Sequence, residues 1–271
     1  MKRIFLTGAS SGIGLRTARA LVERGHEVWG TSRSLDRLPV LDRFHPVVLD
    51  LNDRASIDAG FSRALAEASH FDVLINNAGA GVFGPLEEFT DQEFTEQWEL
   101  LVLGPLRLIR LALPAMRARN AGLLVNVSSL AGEFPLPFVA PYSLSKAGLS
   151  ALSEGLGLEL AHTGIRVVDV RPGDFATEFH PATRRLDRAP GDDAYAPNLE
   201  RAWTAIDRNM NRAQDPQIVA DTLVRIVEGK THRPVVAVGD VFQARIARLL
   251  TRLVPRAWVQ WGIRAYYGLK T

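Results

Sequence analysis

Through the first 175 residues, short β-branched runs alternate with longer stretches whose apolar positions recur every three or four residues. The short runs predict strands at 3–6, 27–31, 46–49, 73–75, 122–127 and 166–170. The longer stretches predict helices at 13–24, 56–68 and 142–162, and one or two helices across 93–118. Strands that alternate with helices predict a parallel sheet, because each crossover must return over one face of it. Right-handed crossovers then give a single doubly wound α/β sheet with helices on both faces.

The pattern breaks between residues 175 and 215, where Pro181, Pro190, Gly191 and Pro197 punctuate a polar, charge-rich stretch. Only 199–208 reads as helix there. So long an insertion, placed after the sixth strand at the ligand-binding edge of such a sheet, predicts a mobile substrate lid; a plain surface insertion is the alternative. A helix at 218–228 and a strand at 235–238 complete one domain over residues 1–240. Residues 241–271 form a separate basic, amphipathic extension. Phe242, Ile246, Leu249, Leu250 and Leu253 recur at helical spacing among Arg245, Arg248 and Arg252, followed by Trp258, Trp261, Tyr266 and Tyr267. Such a helix can cap a pocket, pack against a partner subunit or lie on a membrane surface, and all three stay open.

Composition narrows the classes. With 271 residues, 46% hydrophobic and 23% charged, the chain can bury one large globular core. The absence of cysteine excludes disulfides, thiolate metal sites and cysteine nucleophiles, and no metal site is predicted. Met1-Lys2-Arg3 is followed by only three apolar residues, which is no secretory signal, and no run is long enough to span a membrane. The expectation is a soluble cytoplasmic protein. A net charge of +2 is too small to imply nucleic acid. After Asp240, however, the chain has no acidic residue.

Two motifs carry chemistry. The first strand runs into Gly8-Ala9-Ser10-Ser11-Gly12-Ile13-Gly14 and then a helix, the context in which a glycine loop binds dinucleotide phosphates. Gly8 lets the chain turn, Gly12 lets backbone approach a pyrophosphate, and Gly14 permits close packing. The sheet is therefore expected to be Rossmann-type. Second, Tyr142 and Lys146 stand four apart on a predicted helix and face the same way. An ammonium beside a phenol lowers the phenol pKa, which suits a proton donor to a carbonyl. Taken alone, such a pair is common on helix surfaces. At the end of the second strand Ser32 is followed by Arg33 where an acidic residue would bind a ribose diol. A guanidinium there pairs with a 2′-phosphate, so NADP(H) is favoured over NAD(H); the alternative is a merely solvated arginine.

Together with Ser129, 13 residues before Tyr142, these motifs resemble the classical short-chain dehydrogenase/reductase family, from residue 2 to about 240. The Gly-x-x-x-Gly-x-Gly spacing resembles that family and not its extended epimerase branch. The resemblance implies a catalytic Ser129, Tyr142 and Lys146: Ser129 positions the carbonyl, Tyr142 protonates the alkoxide, and Lys146 holds the nicotinamide ribose. Ser128 replaces Ser129 if the register shifts by one. Cofactor contacts are implied for the loop including Ser10, Ser11 and Ile13, for Asp50-Leu51 at the adenine, for Asn77-Ala78-Gly79, and for Pro172-Gly173 and Thr177 at the carboxamide. The family also pairs through the helices at 93–118 and 142–162, so a homodimer or homotetramer is expected.

One position departs from the pattern. Aligning on Gly104 puts Leu101 where the family has an asparagine that holds a water of the proton relay, and no asparagine occurs between Asn77 and Asn120. Either protons take another path with slower turnover, or Leu101 is ordinary core. The segment between Ser129 and Tyr142 is apolar and aromatic, so Phe134 and Phe138, with Phe83, Phe179 and Trp203 from other loops, are expected to line a pocket for a hydrophobic ketone, aldehyde or alcohol; the alternative is that they are core. Within the family the resemblance leans to the steroid and retinol dehydrogenase-like members. The expected function is NADP(H)-dependent carbonyl–alcohol interconversion. A catalytically weak NADP(H)-binding sensor, suggested by Leu101, is the alternative, and a dehydratase or epimerase fits less well.

Overall fold

In a computed structural model of the chain, which describes residues 1–186, 195–240 and 253–269, seven parallel strands form one sheet. They are β1 (Arg3–Leu6), β2 (Glu27–Ser32), β3 (Phe44–Val48), β4 (Val73–Asn76), β6 (Gly122–Val127), β7 (Ile165–Pro172) and β9 (Val235–Val238). A separate two-stranded pairing joins β5 (Val82–Phe83) to β8 (Arg184–Arg185). The large sheet runs in the order β3-β2-β1-β4-β6-β7-β9, which is the expected doubly wound topology. Its order reverses between β1 and β4, and there the loops leaving adjacent strands diverge and open a crevice.

Residues alternate across the sheet, as the pleat requires. Ile4 and Leu6 of β1 face one side with Ile75, Val125 and Val168, beneath α1 (Gly12–Glu23) and α7 (Gln217–Val227). Phe5 faces the other side with Leu74 and Leu124, beneath α2 (Arg54–Ala68) and α4 (Gly104–Ala118). Completely buried side chains such as Phe5 and Leu74 each contribute about 2 to 3 kcal/mol to holding these layers together.

The stretch 93–118 resolves into two helices. Thr90 and Glu93 close a capping box on α3 (Asp91–Trp98), and a π-helical turn at Glu99–Leu103 leads into α4. The sequence supplies the cause: Pro105 has no N–H to donate to the carbonyl of Leu101, so the regular ladder cannot pass this point. A side chain on Gly104 would lie 2.9 Å from the carbonyl oxygen of Leu51. After α5 (Ala140–Glu159) and β7, the 175–215 insertion is tied at its base, where Phe175 bridges Gln214. It contains β8 and α6 (Ala196–Met210), a longer helix than the sequence pattern predicts.

The predicted helix over 242–253 lies almost wholly outside the described residues. The aromatic stretch behind it, which the periodicity leaves unassigned, forms α8 (Arg256–Tyr266). A third small core joins these pieces: Phe83, Ala202, Ala205 and Tyr267 are buried together, with Phe138, Trp203 and Ile263 packed against them. Among the described residues no helix is long and apolar enough to cross a membrane.

Candidate active site

The glycine loop lies in the crevice at the carboxyl edge of the sheet. Gly8 and Gly12 have φ of +71° and +50°, a region that residues with a Cβ rarely adopt. A Cβ on Gly14 would lie 1.9 Å from the Gly8 carbonyl oxygen, so α1 starts in direct contact with the turn. Ser11 occupies the N-cap of α1, yet its side chain makes no capping hydrogen bond. The first N–H groups of the helix are thus left to an anion, and the helix dipole favours a phosphate there. This uncapped terminus, with no side chain at Gly12 to obstruct it, fits a dinucleotide pyrophosphate. Thr177 comes down over the loop, 3.3 Å from where a Cβ on Gly12 would be, with a Glu178 carboxylate oxygen at 3.5 Å.

The turn after β4 braces this loop. Asn77 donates its side-chain amide to the carbonyls of Thr7 (3.0 Å) and Gly8 (3.3 Å), while the Thr7 hydroxyl accepts from the backbone of Asn77 and Ala78. Thr7 thus joins the glycine loop to the turn after β4. Gly8 packs against Ala78, whose Cα would be 2.8 Å from an added Cβ. At the adenosine end, Arg33 is exposed beyond the end of β2. One Asp50 oxygen accepts from the backbone of Asn52 at 2.9 Å. Leu51 is buried beneath Gly104, which makes it core as well as neighbour to the crevice.

Ser129, Tyr142 and Lys146 come together. A side-chain hydrogen bond joins Ser129 to Tyr142, and the Lys146 ammonium lies 5.7 Å from the centre of the Tyr142 ring. The Ser129 hydroxyl also reaches the carbonyl of Pro172 at 3.4 Å, tying the serine to the Pro172-Gly173 turn. Ser128 points elsewhere: its buried hydroxyl donates to Asp169. Of the two serines, only Ser129 is hydrogen-bonded to Tyr142, while the Ser128 hydroxyl is engaged by Asp169.

The electrostatics correct one expectation. Lys146 does not pull the Tyr142 phenol down. Burial pushes that phenol up to about 12, opposed by the Ser129 hydrogen bond and assisted by the charge of Asp174. Lys146, itself 3% exposed, is pulled down to about 8 by burial against the opposing charge of Asp169. Its ammonium donates to the Val127 carbonyl at 2.8 Å. The spacing argument counts the attraction between the two groups and leaves out desolvation, which dominates once both are inside.

Two polar strings hold α5 in register with the sheet. Asn76 donates to Asn126 and Asn126 to Ser153, each at 2.8 Å, through the buried core. Deeper on β7, buried Arg171 is paired with Asp169 at 2.6 Å and with Glu133 and Glu154. Sequence reading passed over Asp169 and Arg171. The available signal was two opposite charges two residues apart, hence on one face of an otherwise apolar strand.

The aromatic residues divide. Phe179 meets Tyr142 with ring centres 5.5 Å apart. Phe138 is partly buried and, with Tyr195, lines an open apolar hollow of about 450 Å³ beside Gly84-Pro85-Leu86. Phe83 is 1% exposed and packs edge-on to Trp203, so it supports the wall and does not form its surface. Phe134 is partly buried and its backbone N–H binds the Leu130 carbonyl at 2.9 Å. Leu101 is 1% exposed; a Cβ on Gly79 would touch both Leu101, at 3.4 Å, and the Lys146 ammonium, at 3.8 Å. The leucine therefore stands close to Lys146, in the π-helical turn.

Comparison with known proteins agrees with this geometry. The sequence profile of the short chain dehydrogenase family matches residues 2–187. A 3-ketodihydrosphingosine reductase of Bacteroides thetaiotaomicron is 32% identical over 98% of both chains. Among solved structures, a short-chain dehydrogenase from Streptomyces avermitilis covers 100% of both chains at 32% identity and a TM-score of 0.81. The closed form of a serine dehydrogenase complexed with NADP+ covers 88% of this chain and 95% of its own, at 26% identity and a TM-score of 0.74.

Proposed function

This chain belongs to the short-chain dehydrogenase family, and we propose that within it the protein interconverts a ketone or aldehyde and its alcohol on a hydrophobic substrate, with NADP(H). The observation that carries this reading is the Ser129–Tyr142 hydrogen bond beside a buried Lys146, at the mouth of an uncapped glycine loop.

A nicotinamide cofactor supplies or accepts the hydride when bound. Its pyrophosphate would meet the N-terminus of α1 at Gly12, braced by Thr7 and Asn77, with Thr177 over it. Exposed Arg33 would take the 2′-phosphate, and the NADP+ bound by the related serine dehydrogenase supports that preference. The residues of this chain do the proton chemistry. Ser129 holds the substrate oxygen by a hydrogen bond. A phenol pushed up to about 12 is fully protonated at neutral pH, so Tyr142 stands ready to give its proton as the alkoxide develops. Charged Lys146 then stabilises the phenolate left behind. Phe179 and the apolar hollow beside Phe138 favour a substrate with an apolar body, and the name of the Bacteroides relative supports a ketone of that kind. Leu144 and Leu158, 50% and 81% exposed on α5, support pairing of two copies through that helix.

The test follows NADPH absorbance with purified protein against apolar ketones and aldehydes, including 3-ketodihydrosphingosine and steroid-like and retinoid-like compounds. The expected result is turnover that falls by about 10² or more in Tyr142→Phe. Tight NADPH binding without turnover would overturn the reductase and favour a sensor, the reading to which buried Leu101 points. Leu101→Asn separates these further. It is expected to raise kcat by admitting a water near Lys146, while costing about 1 to 3 kcal/mol of stability. An unchanged or lower kcat removes the missing relay as the limiting feature.

A further inference from the structure

α8 has two unlike faces. On one, Ile263 and the following Tyr267 pack into the third core against α6, and the Tyr266 hydroxyl donates to Asn209 at 2.9 Å. On the opposite face, one turn apart, stand Trp258 and Trp261, 70% and 71% exposed. Leu253, just ahead of the helix, is 73% exposed. Two tryptophans turned outward on a helix whose other side is already satisfied need a partner. Their charged neighbours indicate which kind: Arg256 and Arg264 are exposed on the same helix. Arg245, Arg248 and Arg252 precede them, and nothing acidic follows Asp240. Apposing two copies through this face would set arginine against arginine. An anionic surface complements it, and indole rings with basic flanks are the side chains that settle at the boundary between headgroups and acyl chains.

We propose that α8 docks the protein on an anionic lipid surface through Leu253, Trp258 and Trp261, with Arg264, on the flank of that face beside Trp261, meeting the headgroups. Because the inner face of α8 packs against α6 of the substrate-side insertion, docking would set that insertion against the source of an apolar substrate. The docking itself does not depend on the proposed reaction, and its test reads no activity.

The test is flotation of the full-length protein with vesicles of phosphatidylglycerol and phosphatidylcholine, compared with vesicles of phosphatidylcholine alone. The expected result is binding to the anionic vesicles that weakens with added salt. Trp258→Ala/Trp261→Ala should lower the partition coefficient by about tenfold or more, with an unchanged melting temperature. Should that variant fold poorly, Arg264→Glu serves as the second probe, with a loss of binding to the anionic vesicles expected. Absence of binding, equal binding to the neutral vesicles, or a folded variant that binds like the parent would each overturn the proposal. So would light scattering that finds a dimer which Trp258→Ala/Trp261→Ala splits into monomers, since the face would then belong to a second copy.

Discussion

At the scale of single residues, Tyr142 and Lys146 owe their chemistry to burial. Their types and spacing follow from the chain alone, and so does their common face on α5. Their proton affinities do not, because these depend on how much water the folded protein removes around them. Lys146 has the ordinary lysine value when unfolded, 10.5, and about 8 when folded. Between these values the unfolded chain carries a proton that the folded one lacks, so raising the pH through this window favours folding. Below about pH 8 the full cost of burying the ammonium is present, on the order of 3 kcal/mol. Lys146→Met is therefore expected to be more stable than the parent at pH 7, with the advantage shrinking towards pH 10. Urea titrations at the two pH values check this, and a constant difference would show that the ammonium is not strained by burial. The Arg33 guanidinium and the glycines were likewise readable as types, whereas Thr7 emerged as part of the site only through its hydrogen bonds to the turn after β4.

At the scale of elements, the meeting of Tyr142 and Lys146 with Ser129 depends on α5 being held at one height against the sheet. The register that sets Asn76 opposite Asn126 allows the first polar string, and Arg171 makes the second. Removing Arg171 leaves fully buried Asp169 without its charge partner, and takes from the more exposed Glu133 and Glu154 the partner they share with it. Arg171→Leu is expected to cost about 3 to 5 kcal/mol in chemical denaturation, far more than loss of an exposed ion pair. A cost under about 1 kcal/mol would mean that water already satisfies those carboxylates. Element boundaries were readable wherever local chemistry fixes them: β1, β6 and β9 fall at the predicted residues. The division of 93–118 was less so. Pro105 is visible in the chain, but a proline permits a kink, a break or a π turn, and packing of Gly104 against Leu51 selects among them.

At the scale of the whole molecule, the 175–215 insertion and the C-terminal extension meet in the third core, far apart in sequence and joined through Phe83 and Tyr267. Tyr267→Ala is expected to lower stability by about 3 kcal/mol and to raise KM for an apolar ketone. NADPH affinity should be unchanged, since the glycine loop lies on the main sheet; thermal unfolding and cofactor titration check both parts. The alternation of strands and helices, the cradle of glycines, and the placing of Tyr142 and Lys146 on one helix face were all determined by the sequence alone. Each depends on local rules: periodicity, conformational freedom at a turn, and one helical turn between two side chains. Tertiary structure decided what Ser128 and Ser129 each touch, where Asp169 and Arg171 find partners, which side of α8 is covered, and how far burial displaces two pKa values. Those outcomes depend on groups brought together across the sheet and on the water excluded between them, and neither is written in any one segment of the chain.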